Sequence, residues 1–215
     1  MKRLIFIFVV LFSLGSVAFP VSFGAFGGIS EGLSFSPTFV VPFDPMSVDL
    51  DLVGAYGFNQ NFDLQFSLSR VLFEFSPFNA IWNGLWVMPR FDFGGFSILP
   101  YNILALHIGF GGGFTVGLQY HTELSIVDSI FSIEFNGIFN IIPNPTLDGI
   151  VAPVFYLEKI LNVPIALYLE SDFSVIPDLG SDIILGIYWG IAKNLGINLG
   201  YNFNSSLVGW ISFSF

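Results

Sequence analysis

The sequence predicts an all-β protein, a closed antiparallel β-barrel of about twelve strands that crosses a membrane, and three observations carry that expectation. The first is composition: 53% of the 215 residues are hydrophobic, with a mean hydropathy of +0.76, which suits lipid. Yet beyond residue 20 no run approaches 18 uncharged apolar residues, so a spanning helix has no candidate segment. In hydrocarbon every backbone donor and acceptor must be satisfied within the protein, and the other spanning solution is a ring of strands without an edge. The second observation is alternation of apolar and polar residues through nearly the whole chain, punctuated by Gly, Pro, Asn and Asp. The third is a charged fraction of only 10%, too low for the solvent face of a soluble barrel.

The elements follow in order. Residues 1–18 read as a cleaved signal peptide: Met1, Lys2 and Arg3 are followed by an apolar run from Leu4 to Leu14, and Ser16, Val17 and Ala18 form a cleavage site. That run is short of the roughly 20 residues a spanning helix needs. Residues 19–32 have no clear assignment; they could extend the first strand, add another, or lie inside the barrel. From 33 to 215 the chain reads as barrel.

Strands are expected at residues 33–41, 48–56, 62–69, 85–93, 102–110, 114–126, 130–140, 150–158, 165–173, 182–190, 195–203 and 207–215. The third has the cleanest pattern, with Phe62, Leu64, Phe66 and Leu68 opposed to Asp63, Gln65, Ser67 and Ser69. The 197 residues after the leader allow about 16 per strand and turn, against the roughly 9 to 11 needed to cross. Ten or fourteen strands remain alternatives, an even number being the rule for single-chain barrels. Tight turns are expected at Asp128-Ser129 and at Gly111 to Gly113, and the longest loop at 71–84. Pro37, Pro89 and Pro153 each remove a ladder donor inside a strand, so bulges or broken pairing are expected there.

A soluble β-sandwich also alternates. It has one apolar core shared between two sheets, and would not need a greasy face on nearly every strand at 18% aromatic content. A soluble ligand-binding barrel would reverse inside and outside, which the low charge argues against.

The closing segment is the most distinctive. Leu207, Gly209, Ile211, Phe213 and Phe215 share one strand face, and the chain ends on an aromatic ring. This segment resembles the last strand of bacterial outer-membrane β-barrels of the porin kind, whose assembly machinery reads a terminal Phe preceded by alternating apolar residues. The resemblance implies a bacterial outer-membrane location, a lipid-bilayer surround, and the barrel-assembly machinery as partner. It is generic to the class and identifies no member.

Function must then be sought on the opposite strand faces. Asp49, Asp51, Asp63, Asp92, Glu123, Glu134, Glu170 and Asp172 are expected to line the lumen with Arg90 and Trp210, a strongly acidic set with one clear base. Such an interior concentrates cations and repels anions. The expected activity is a small channel or transporter that prefers cations, its partner a small solute or cation. A barrel that only tethers or reinforces the envelope is the structural alternative, and a membrane-embedded lipid hydrolase or acyltransferase the third. For that third reading His107 and His121 are the available bases, but the 111–113 turn places His107 near Gly117 and His121 near Ile103, apart from one another. No G-x-S-x-G or H-E-x-x-H pattern occurs, and no catalytic residue, cofactor or metal is expected. The absence of Cys excludes disulfides and thiolate metal sites.

Two further expectations concern the interior. The 128–129 turn sets Glu123 opposite Glu134, where like charges repel unless a proton or cation is shared. Ala152, Val154, Tyr156, Ile184, Tyr188, Val208 and Trp210 also fall inward, so the lumen is expected to be partly packed. Without Lys2 and Arg3 the chain carries four basic against 16 acidic residues, a net charge of −12, which excludes nucleic-acid binding.

Overall fold

The computed structural model describes residues 29, 31–43, 47–75, 78–82, 84–95, 98–111, 113–176, 179–192, 194–204 and 206–214. The expected leader, most of the segment 19–32, and Phe215 lie outside them. The strands are β1 (Gly32–Pro42), β2 (Ser47–Asn59), β3 (Phe62–Phe75), β4 (Phe78–Trp82), β5 (Leu85–Asp92), β6 (Asn102–Phe110) and β7 (Phe114–Val127). They continue with β8 (Phe131–Ile142), β9 (Thr146–Tyr156), β10 (Ile165–Ile176), β11 (Gly180–Ala192), β12 (Leu195–Asn202) and β13 (Ser206–Ser214). One helical turn, α1 (Glu158–Leu161), joins β9 to β10.

All strands but β4 form a closed antiparallel ring of twelve, each paired with its sequence neighbours and β13 returning to β1. The closing seam runs from Ser34 opposite Ser214 to Pro42 opposite Ser206. Closure leaves no unpaired edge, which is what a spanning sheet requires. β1 begins and β13 ends at one end of the ring, here the termini end, where the β2–β3, β5–β6, β7–β8, β9–β10 and β11–β12 connections also lie.

The expected loop at 71–84 is instead an extension of the wall. β3 runs on to Phe75 and β4 returns along it, Val71 opposite Trp82 and Phe75 opposite Phe78. This pairing continues the register in which Ser67 faces Trp86 and Phe62 faces Phe91 on β5. β4 and β5 are therefore one return strand interrupted near Gly84, whose φ is +118° and whose α-carbon leaves no room for a Cβ against the Phe110 carbonyl. The hairpin it forms stands above the ring at the far end from the termini.

Each of the three prolines expected to disturb a strand is paired on one side and breaks the ladder on the other. Pro37 faces Leu52 on β2, Pro89 faces Leu64 on β3, and Pro153 faces Ile133 on β8. On the opposite sides pairing lapses from Phe35 to Thr38, from Val87 to Arg90, and from Val151 to Val154, and resumes with no change of register. The missing N–H costs two rungs and no bulge.

A bulge does occur beside the β7–β8 turn, which differs from the expected two-residue form. Ser129 takes a left-handed φ of 55°, Ile130 donates to the Val127 carbonyl at 2.9 Å, and Val127 faces Phe131 rather than Ile130. One extra residue between Ser125 and Val127 then restores the register. Asp128 at this turn accepts from Lys159 Nζ of α1 at 2.7 Å, and that contact with the ammonium holds its carboxyl below the usual range.

Outward faces are apolar along the whole ring. Leu104, Leu118, Leu167, Leu185, Ile187 and Leu199 are among the exposed residues. Aromatic side chains gather at both ends of this belt. At the termini end the rings of Tyr56, Phe58, Phe62 and Phe91 follow one another at 5.0, 5.2 and 4.7 Å, and Phe131 stacks on Phe155 at 4.5 Å. At the far end Tyr201 contacts both Phe43 and Phe203, and Phe110 contacts Phe114. Two aromatic girdles bounding an apolar band mark the two membrane interfaces.

Candidate functional site: the barrel interior

The interior has two unlike halves. On β2, β3 and β5 to β8 the inward side chains are mostly polar and bonded across the strands. Asp63 directly faces Arg90, and the guanidinium is bidentate: Nε to Oδ1 at 2.8 Å and a terminal nitrogen to Oδ2 at 2.5 Å. Both residues are buried, so the one inward base foreseen from the sequence is neutralised by its neighbour. Asp51, also buried, accepts from the Ser67 hydroxyl. Gln119 Nε2 donates to Asn136 Oδ1 at 2.9 Å. Asp92 serves the backbone, accepting from the N–H groups of Gly94 at 2.8 Å and Asn102 at 3.1 Å. Asp49 is half-buried on β2, between Val40 of β1 and Leu72 of β3.

Glu123 lies directly across from Glu134, the register that the turn suggested. His121, buried on β7, places Nε2 3.3 Å from Glu134 Oε2 and 3.4 Å from the Tyr101 hydroxyl. His107 is edge-on to Trp86 at 5.8 Å and pairs with Gly117, four rungs from the His121–Ile103 pair, or about 13 Å along the wall. The two histidines therefore share no site. The crevice lined by Arg90, Ile103, Ala105, Gln119 and His121 has no room for a water molecule.

On β9 to β13 and β1 the interior is aromatic and apolar at mid-height and acidic toward the far end. Val154, Ala166, Tyr168, Ile184, Val208 and Trp210 form one buried cluster, against which Val40, Tyr156 and Tyr188 pack. Beyond it stand Glu170 and Asp172 on β10, with Asp182 directly opposite Asp172. Glu170 is fully buried, whereas Asp172 is only partly so. Asp182 accepts from Asn202 at 3.2 Å and from Asn204, and Asp148 accepts from Thr146 at 3.2 Å and from Ser174. Strands β9 to β13 hold no Lys or Arg.

Asp148, Asp182 and Tyr168 are interior residues that sequence reasoning passed over. Asp182 and Tyr168 were legible by parity, two positions from Ile184 and Glu170 respectively. Asp148 was hidden because β9 begins at Thr146, four residues before its expected start. In the closing strand Leu207 and Ile211 are half-buried and Phe213 is exposed. Gly209 is covered by the Phe39 ring, which a Cβ there would meet at 2.8 Å.

A closed ring of twelve strands, greasy and girdled outside, has the fold of a transmembrane β-barrel. Among solved structures the chain is similar to the KdgM porin. It matches a complex of that porin with disordered oligogalacturonate at a TM-score of 0.64 and 12% identity, over 85% of this chain and 99% of that one. A second KdgM porin structure matches at a TM-score of 0.63 and 11% identity, with the same coverage. At such identities the likeness is one of fold. No protein-family model matches the sequence, and no curated protein does.

Proposed function

We propose that the chain is a small channel of the outer membrane that favours cations over anions. The observation that carries this reading is the charge of the interior. Asp49, Asp51, Asp92, Glu123, Glu134, Glu170 and Asp172 are joined there by Asp148 and Asp182, while Arg90 is held by Asp63. Carboxylates in a low-dielectric enclosure set a negative potential that draws cations in. The KdgM porin has been seen with an oligogalacturonate, a chain of carboxylated sugars. An acidic interior disfavours such a solute, so this barrel is expected to serve cations or small neutral molecules instead.

Reversal potentials of the purified protein in a planar bilayer under a salt gradient test the reading. Cation selectivity is expected, and replacing both Asp172 and Asp182 by Asn should lower the cation-to-anion permeability ratio several-fold. Anion selectivity of the parent protein would refute it. A second reading, a barrel that reinforces or tethers the envelope without conducting, draws support from the dryness of the interior. It predicts no conductance under any salt.

A further inference from the structure

Three rings on the inner wall of β10, β11 and β13 occupy recesses made for them. Eight strands leave an interior that ordinary side chains fill, so filling a ring of twelve takes larger groups. Tyr168 on β10 lies flat across β11: a Cβ on Gly186 would stand 2.1 Å from its ring, and one on Gly200 of β12 would stand 3.0 Å from its hydroxyl. That hydroxyl donates to Asn198 Oδ1 at 2.7 Å. Tyr188 on β11 uses Gly196 in the same way, at 2.7 Å, and its ring meets Trp210 of β13 at 5.5 Å and 34°. Tyr168 and Trp210 are only 1% and 3% exposed, so water does not reach them from the lumen. Across the barrel Met88 on β5 and Gln119 on β7 are equally dry, at 1% and 5%.

We propose that Tyr168, Tyr188 and Trp210 form an apolar constriction that shuts the lumen to hydrated ions at mid-height, and that these rings rather than the twelve-strand ring set what passes. The proposal rests on the channel reading. Asp172 and Asp182, both partly exposed, stand just beyond Tyr168 on the same inner face, so the acidic zone borders the constriction and gathers cations at it. Apolar rings offer an ion no replacement for its hydration shell, and such a passage conducts only when it rewets. The glycines matter as much as the rings, because any side chain at 186 or 200 would drive Tyr168 off the wall.

Single-channel conductance of the full chain in planar bilayers is the test, with β-sheet circular dichroism confirming that each variant has folded. Trp210→Ala and Tyr168→Ala are expected to raise conductance several-fold over the parent, or to create it where the parent has none. Tyr168→Phe, which keeps the ring, should conduct like the parent. Should Trp210→Ala fail to fold, Tyr188→Ala carries the same expectation at a less buried ring. A conducting parent with folded alanine variants of unchanged conductance overturns the constriction and leaves the channel reading standing. Silence from the parent and from every folded variant overturns the channel reading, and the constriction with it.

Discussion

Arg90→Ala is expected to cost the barrel about 3–5 kcal/mol, the range for removing one partner of a buried ion pair. Asp63 is 2% exposed and its carboxylate receives two charge-assisted bonds from the guanidinium. Without Arg90 that charge stays in a dry interior with its main counterion gone. The pair joins β3 to β5 near the termini end, so the loss should appear as a lower urea midpoint for unfolding in detergent or lipid. Replacing both residues, Asp63→Asn with Arg90→Met, should recover most of the loss, since a buried pair contributes little over neutral groups that pack as well. An Arg90→Ala protein within about 1 kcal/mol of the parent would mean that water reaches Asp63, against the burial described.

Leu185→Arg is the second large effect, and it tests which side of the wall meets lipid. Leu185 is 54% exposed at the middle of β11, flanked by Leu169 on β10 and Tyr201 on β12. On the lipid face near the bilayer centre an Arg costs about 2–4 kcal/mol, falling to about 0–1 near the interfaces. Leu179, 87% exposed beside the β10–β11 turn, provides the paired control. Leu179→Arg should change folding into vesicles little, while Leu185→Arg should weaken it by the larger amount. Equal, small effects at both positions would say that the outer face meets water, as in a soluble barrel, and would remove the membrane assignment.

Much of this architecture was legible because a strand writes its two faces into the chain with a period of two. The run from Phe62 to Ser67 could be assigned residue by residue, and the Gly111 to Gly113 turn alone placed His107 at Gly117 and His121 at Ile103, the observed rungs. The expected partial packing of the lumen likewise rested on the parity of Val208 and Trp210. Legibility failed where a local signal had two meanings. Residues 71–84 read as a loop, whereas the stretch extends β3 and returns as β4, and only the neighbouring β2 decides whether the strand continues. The Asp128-Ser129 turn was seen but not the bulge beside it, because the bulge is settled by the register β8 must keep with β9.

The interior shows the same division. Alternation assigns each carboxylate a strand face, yet says nothing of its partner, since Asp63 and Arg90 are 27 residues apart and meet only through the β3–β5 pairing. Tyr168 is the clearest case. Its identity and parity are properties of the sequence, but its position depends on Gly186, Asn198 and Gly200 standing beside it on two other strands. The barrel class, most of the strands and the apolar outer face were readable from local pattern, because backbone periodicity and lipid exposure act on each segment separately. The seam register, the Asp63–Arg90 pair and the recessed aromatic cluster came from the fold alone, because register between distant strands chooses which side chains share a space.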